Sequence, residues 1–417
     1  MKTNYDLIII GGGFSGVAAA IAAKREGADV LLIERYGFLG GAAAMCLVNP
    51  FMPYTRVVNG KEELVNAGLF AMVLRRLEEM GGLHKNRSTF SEESLKLLFD
   101  RLMKENNVNV LLHSYLAEAE RVNNELKTVT VVNKNGSMKF AAKYFIDCTG
   151  DADLAVLSGC GFKLGREPDN LCQPMTLCFR LANVDLEKFH QIREKINPLY
   201  QQFQREGKIK NPRENVLIFS HMSGGVLHFN STRIIKHNPV DVFDLTKAEI
   251  QAREQICELH HFMKSNIEGF ENSTLIMSAP QIGVRESRMI EGEYTITGDD
   301  LISCKQFEDS VACGKYGIDI HSPDGSGTTI RHIGPDQYYT IPYRSLVPKG
   351  ISNLIAAGRC ISSTHEAHSA YRVMPICCCI GEAAGTAAGI AIKVNHKMKD
   401  VPVKLIQKSL TDNGALI

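Results

Sequence analysis

The run Gly11-Gly-Gly-Phe-Ser-Gly16 follows the apolar segment 7–10 and opens an alanine-rich stretch, and Glu34 ends the next apolar segment 18 residues after Gly16. Each residue type has a chemical task. Gly11 permits a tight turn, Gly13 lets the backbone approach a pyrophosphate, Gly16 lets a helix pack closely on a strand, and Glu34 accepts hydrogen bonds from ribose hydroxyls. The chemistry implied is dinucleotide binding at a helix N-terminus, where free N–H groups and the helix dipole favour phosphate. Positioning these residues requires a strand over 5–10, a helix over 17–24 and a second strand over 29–34.

A second set of polar residues lies toward the C-terminus. His365, His368, Tyr371 and Arg372 fall between an apolar strand, 353–358, and a helix that Pro375 is suited to begin. His365 is a candidate for proton transfer, whereas Arg372 stays protonated and suits an anionic anchor. Arg285, Glu286 and Arg288 read as a strand with Arg285 and Ser287 on one face and Glu286 and Arg288 on the other. The alternative for them is a pair of surface salt bridges. Residues 230–233 and His321 are weaker candidates.

The 12 cysteines contain no CxxC pair, so they read as reduced core thiols, and no zinc or iron–sulfur spacing is present. No metal is expected. Cys46 has no second cysteine about five residues away and reads as a packed thiol. Cys377, Cys378 and Cys379 are adjacent on a helix and point in different directions.

Lys and Arg total 47 against 46 acids, a net charge of +1, without the basic excess of a nucleic-acid binder. Hydrophobic residues at 44% suffice for about two to three domains in 417 residues. The longest apolar segment, 376–392, contains Glu382 and reads as short of a membrane span, so a soluble, cytoplasmic protein is expected.

Hydrophobic periodicity places helices over 61–80 and 91–103, a parallel strand over 108–112, and meander strands over 116–122 and 128–132 with Asn133-Lys-Asn-Gly136 as their turn. Segment 144–150 is a further apolar strand. Long charged helices follow over 186–206 and 247–265. Gly381, Gly385 and Gly389 share one face of the last helix, which predicts very close approach to a strand or a ligand. The N-terminus of that helix suits a developing negative charge.

The pair Gly40-Gly41 just past Glu34 resembles the second glycine motif of FAD-binding proteins of the glutathione reductase type. Beyond this, the chain resembles the FAD-dependent oxidoreductases with a para-hydroxybenzoate-hydroxylase-like fold. The resemblance rests on the fingerprint, on Phe145-Ile-Asp-Cys-Thr-Gly-Asp-Ala-Asp153, on Gln173-Pro-Met-Thr176, on Gly283-Val-Arg-Glu-Ser-Arg288, on Ile341-Pro-Tyr-Arg-Ser-Leu346, and on residues 353–385. It implies an α/β protein with a Rossmann-like FAD-binding domain, a parallel sheet plus β-meander, and an inserted mixed α+β substrate domain. The cofactor unit would comprise 1–50, 91–161 and 347–417, and the substrate or cap unit 51–90 and 162–346.

The resemblance also implies further FAD contacts. They fall at Phe14, Ser15, Arg35 and Ala42 around the two glycine motifs, and at Leu116 on the meander. Others fall at Thr149, Gly150 and Asp151 after the long strand, at Gly358 and Arg359, and at Val373, Ile376 and Cys377 beside Arg372. Related flavoproteins more often carry an aspartate where Arg359 stands, so the usual aspartate–ribityl contact has no residue to carry it here.

The leading reading is hydride transfer between a small organic substrate and the flavin, with His365, Arg372 and Arg285 as catalytic candidates. The electron donor or acceptor is unassigned, a homo-oligomer is left open, and neither nucleic acid nor membrane is expected as a partner. A second reading is a flavin-bearing electron-transfer subunit, because no second GxGxxG segment offers an NAD(P)H domain. A tRNA-modifying flavoprotein conflicts with the near-zero charge. A lyase that merely keeps a flavin is a fourth reading.

Overall fold

The computed structural model describes residues 2–417. Its central sheet begins with the strand Asn4–Ile10, which pairs in parallel with Val30–Ile33 on one side, Leu7 opposite Val30. On its other side it pairs in parallel with the long strand Gly136–Asp147. Asn109–Leu111 extends the sheet beyond Val30–Ile33. The four residues of Val30–Ile33 are all buried, as expected of a parallel strand covered on both faces.

The strand Gly136–Asp147 serves two pairings. Its first half returns antiparallel along Glu125–Asn133, which pairs with Tyr115–Val122, completing a meander. Its last residues run parallel to Leu354–Ala356. The turn at 133–136 therefore joins the second meander strand to the long strand. Asn123, at φ 57°, and Asn124 form the turn between the first two, because an asparagine tolerates the left-handed region.

Two elements differ from the sequence reading in kind. Residues 61–64 are a strand, not the start of a helix: Lys61–Leu64 pairs with Thr55–Val58 around Asn59-Gly60, both at positive φ. An Asn-Gly pair is a strong hairpin signal, and it overrides the apolar spacing there. The helix begins only at Gly68 and runs to Glu79. Likewise, only Arg288–Ile290 of the expected 285–288 strand is extended and paired, with Phe162–Leu164. Gly283 bridges Thr176, and the arginine segment between is irregular.

The fingerprint helix Phe14–Arg25 packs against the last long helix, Met374–Val394. A β-carbon on Gly381 would lie 2.1 Å from the Ser15 carbonyl oxygen, one on Gly385 2.1 Å from that of Ala19, and one on Gly389 2.3 Å from the Glu26 side chain. The glycine stripe thus admits another helix rather than a strand or ligand. Both helices ascend this seam together, so they are parallel and their N-termini emerge at the same end. Met374–Val394 is long and apolar enough by composition to cross a membrane, contrary to the sequence reading, and its residues from Pro375 to Ala391 are buried within the fold.

The cores divide the chain differently from the expected boundaries. Phe51, Phe70 and Leu74 share one cluster with Phe14 and Val17 of the fingerprint helix, so 51–90 packs with the cofactor unit. Ile296, Val311 and Tyr339 belong to that same cluster. A separate core runs from Met175 to Ile282, where the helices Leu186–Arg205 and Val242–Asn266 cover a four-stranded sheet.

Candidate active site

Three strands end side by side at the C-terminal edge of the sheet: Ile10 pairs with Asp147, and Asp147 with Ala356. Ligands of open parallel sheets bind beyond such an edge. The chain leaves each strand through glycine or a short loop. Gly11, at φ 101°, abuts the Cys148 carbonyl, and a β-carbon on Gly16 would lie 1.8 Å from the Gly11 oxygen. Gly13 differs, because a β-carbon there would touch only Gly41 Cα, at an ordinary contact distance of 3.7 Å, and Gly13 lines an open space.

That space is an open-mouthed cleft of about 1190 Å³, a figure that includes the solvent at its mouth. Gly13, Glu34, Gly41, Gly150, Gly358 and Cys377 all line it. At its centre the two glycine turns touch. Gly40 donates its N–H to the Gly12 oxygen at 2.9 Å, and a β-carbon on Gly41 would lie 2.8 Å from Gly13 Cα.

At one end Glu34 is buried, with Oε2 accepting from the Gly12 N–H at 2.6 Å and Oε1 from the Tyr36 N–H at 3.0 Å. Burial raises its pKa against the pull of those N–H groups. A carboxylate offers about four lone-pair sites, so both ribose hydroxyls can still be accepted.

The helices Phe14–Arg25 and Met374–Val394 both open onto the cleft without a capping side chain or an acid in the first turn. Elsewhere Ser91, Asp185, Asp241 and Thr297 cap their helices. Ser15 ties the two together, donating Oγ–H to the Cys377 oxygen at 2.9 Å. Aligned through Ser15 and Gly381, the glycine helix starts about 9 Å further along the cleft than the fingerprint helix. Two uncapped N-termini in sequence suit a pyrophosphate and, beyond it, an electron-rich ring. The residues present fit FAD.

Most of the cofactor residues expected from sequence meet here: Phe14, Ser15, Arg35, Gly40 and Ala42 on one side, Leu116, Thr149, Asp151, Arg359 and Arg372 on the other. Gly16, Val373 and Ile376 stand behind the cleft wall. Arg359 is already partnered, at 3.1 Å from Asp151 Oδ1 and donating to the Val284 oxygen at 2.9 Å. It supports the Gly150 loop. Asp147, not expected from sequence, holds the same loop by accepting from the Thr149 N–H and hydroxyl and from the Ala155 N–H. Gln281, Ile282 and Val284 of the cap also line the cleft and were not anticipated, since nothing local marks them as facing a cofactor.

His365 and Arg372, at the two ends of the helix His365–Tyr371, do not meet. Arg372 lines the cleft, whereas His365 lines a second cavity and bonds Glu286 Oε1 through Nδ1 at 2.7 Å. Glu286 is fully buried and also accepts from the Gln173 N–H at 2.8 Å. Arg285 and Arg288 are half-buried, and of the two only Arg288 forms a salt bridge. Arg288 pairs with Asp153, and Arg285 donates to the Pro174 oxygen, Thr176 Oγ1 and Asn230 Oδ1. Cys46 is a packed thiol, its pKa pushed up to about 12 by burial.

A parallel sheet with a glycine fingerprint at its C-terminal edge, an acid at the ribose end and a second glycine pair defines an FAD-binding flavoprotein of Rossmann type. The chain belongs to the FAD dependent oxidoreductase family, whose pattern matches residues 6–410. It is an oxidoreductase with FAD as its cofactor. No curated protein matches it significantly in sequence.

Among solved structures, a triple mutant of the flavin-dependent brominase Bmp2 is 13% identical, with 97% of this chain and 85% of that chain covered and a TM-score of 0.51. A geranylgeranyl bacteriochlorophyll reductase-like protein from Thermoplasma acidophilum is 11% identical, with 98% and 82% covered and a TM-score of 0.47. The p-nitrophenol 4-monooxygenase PnpA from Pseudomonas putida DLL-E4 is 11% identical, with 99% and 84% covered and a TM-score of 0.48. At such identities the likeness to the brominase speaks for the fold alone.

Proposed function

We propose that the enzyme transfers a hydride between a small organic substrate and FAD. One observation supports this above others: beyond the glycine turns the cleft runs on to Arg372 and Met374, roofed by Ile282 and Val284 of the cap. A partly apolar cleft beside a cation is suited to orient a small molecule against the cofactor. Gly13, Glu34, Gly41 and the two uncapped helix starts would hold the cofactor, which when bound supplies two-electron chemistry at its ring.

The chain's own part is to bind, orient and handle a proton. Asp319 accepts from the Tyr316 hydroxyl at 2.6 Å and lies 3.7 Å from Arg372 Nη2. Its carboxyl is held well below the ordinary range, burial being outweighed by His321, Arg372 and Tyr316. His321 is pushed down to about 3 by burial and by Arg285, so it is neutral at physiological pH. Its Nδ1 faces Arg233 Nη2 at 3.1 Å and therefore accepts, which leaves the Nε2 proton toward Asp319. His321 thus positions Asp319 and is not a free base. His365 would reach the substrate only through Glu286 and the second cavity.

Anaerobic mixing of the yellow protein with a panel of small acids, sugars and amines tests this reading. Bleaching of the flavin absorbance by one compound alone is expected. Bleaching only by a protein donor would assign the chain to an electron-transfer complex, and reduction only by NAD(P)H would point to an externally reduced oxygenase.

A further inference from the structure

The histidine that does not reach the cofactor cleft lines a cavity of its own. This second cavity measures about 2100 Å³, a figure that includes the solvent at its mouth, and lies between the segment 162–170 and the hairpin 318–331. His365 is 7% exposed. Its Nδ1 lies 2.7 Å from Glu286 Oε1, and because a carboxylate has no proton to give, Nδ1 carries the hydrogen and donates. Glu286 is itself fixed, since its Oε2 accepts from the Gln173 N–H at 2.8 Å. An outer carboxylate that orients an imidazole in this way sets what the other nitrogen can do. In the neutral ring Nε2 is then the acceptor. Among the described residues Nε2 bonds no protein group, and it is not sealed from solvent, so it opens into the cavity.

The walls are held as firmly as the histidine. Arg233, 1% exposed, donates from Nη1 to the Gly325 and Gly327 oxygens at 3.2 and 3.1 Å, which pins the hairpin loop from inside. Glu214 pairs with Arg233 and accepts the Thr328 hydroxyl at 2.8 Å. Arg166 meets Asp324 at 2.7 Å and ties the two walls together. The charges of the lining are spent within it. Among the described residues that line it, Lys163 pairs with Glu167 at 3.2 Å and Arg166 with Asp169 and Asp324, and the remaining acid, Glu366, is exposed to water. What is left is hydroxyl and hydrocarbon. Ser326 and Thr329 line the cavity at exposed positions, and Thr364 Oγ1 accepts from the Ala367 N–H, which leaves its own proton to donate. Phe162 and Met289 add apolar surface.

We propose that this cavity is a second binding site, separate from the cofactor cleft, for a small neutral molecule that carries several hydroxyl groups. His365 Nε2 accepts one hydroxyl, Thr364 and Thr329 bond others, and Phe162 covers the hydrocarbon face. A few convergent polar groups on a partly apolar wall are what fixes a small ligand's orientation. A lone pair without a free cation beside it favours an O–H donor over an anion. The inference does not rest on the redox reading above.

The test uses the full-length protein with its cofactor. Calorimetric titration with myo-inositol, D-glucose and D-mannitol is run beside the charged analogues D-glucuronate and D-glucosamine. Diethylpyrocarbonate, which modifies accessible neutral imidazoles, is followed by peptide mass spectrometry with and without each compound. At least one neutral polyol should bind saturably and shield His365 from modification, while the exposed His261 reacts as before. His365→Asn keeps a donor for Glu286 but has no atom at the Nε2 position, and should weaken binding by about tenfold or more. Thr329→Val, at an exposed position where folding is not at stake, should weaken it by about threefold. Should His365→Asn fail to fold, Thr329→Val and the shielding of His365 in the parent carry the test. The proposal is overturned if none of the three polyols binds, if binding survives both substitutions, or if it leaves His365 unshielded. Tighter binding of glucuronate or glucosamine than of glucose would overturn the neutral class of ligand.

Discussion

Gly13 and Gly16 belong to one motif but do different things. A methyl group on Gly13 meets only Gly41 Cα at an ordinary 3.7 Å, whereas one on Gly16 meets the Gly11 oxygen at 1.8 Å. Gly13→Ala is therefore expected to fold with a near-normal melting temperature and to purify without flavin, while Gly16→Ala should fail to fold. Circular dichroism with flavin stoichiometry separates the two, and a flavin-loaded Gly13→Ala would put the diphosphate elsewhere. Glu34→Gln keeps one acceptor for the Gly12 N–H but loses the charge, so FAD affinity should fall by about 1–2 kcal/mol. Equilibrium titration of the apoprotein measures this. These residues were legible because a tight turn, a close approach and a ribose contact each demand one residue type. The pairing of His365 with Glu286 was not, since 79 residues separate them.

At the scale of elements, the glycine helix carries a second device beside its seam. Glu382 is buried, accepts from the Leu69 N–H at 2.9 Å and so caps the helix Gly68–Glu79 from outside that helix. Desolvation raises its pKa to about 7, outweighing the Leu69 hydrogen bond and Arg25. Because the folded value lies above the unfolded one, its contribution is full below about pH 4.5 and is lost as pH rises to about 7. Glu382→Gln, which still accepts from Leu69, should match the parent at pH 4.5 and exceed it by roughly 2–3 kcal/mol at pH 8. Denaturant unfolding across that range checks the sign, and parallel curves would show that Glu382 is not strained. The repeat of Gly381, Gly385 and Gly389 announced close approach; that the neighbour is the fingerprint helix was hidden, because a stripe of missing side chains does not say what fills it.

Over the whole molecule, the cap and the cofactor unit are joined by a buried ion pair between Arg180 of the cap sheet and Glu92 in the first turn of the helix Glu92–Glu105, with side chains 6% and 7% exposed. Removing one partner strands the other charge. Arg180→Met should destabilise by about 3–5 kcal/mol, and Arg180→Met with Glu92→Leu should recover most of that loss. Urea unfolding of the parent, both single variants and the double variant decides, and additive losses would deny the coupling. A second bridge, from the Tyr36 hydroxyl to Gln281, spans the mouth of the cleft. Neither contact has a local sequence signal.

What the chain declares by itself is local: the βαβ start, the glycine turns, Glu34 and the long amphipathic helices, because turn geometry and hydrophobic period act over a few residues. The Asn59-Gly60 hairpin was equally readable, and the helical spacing of the leucines beyond it masked the signal. Only the tertiary structure decided that residues 51–90 join the cofactor core, that Arg372 and His365 face different cavities, and that Arg233, His321, Asp319 and Arg372 meet in one chain of contacts. Those residues lie up to 139 positions apart in the chain and carry no motif. Their convergence depends on how the cap packs against the cofactor unit, an energy summed over the buried faces of both and written at no single position.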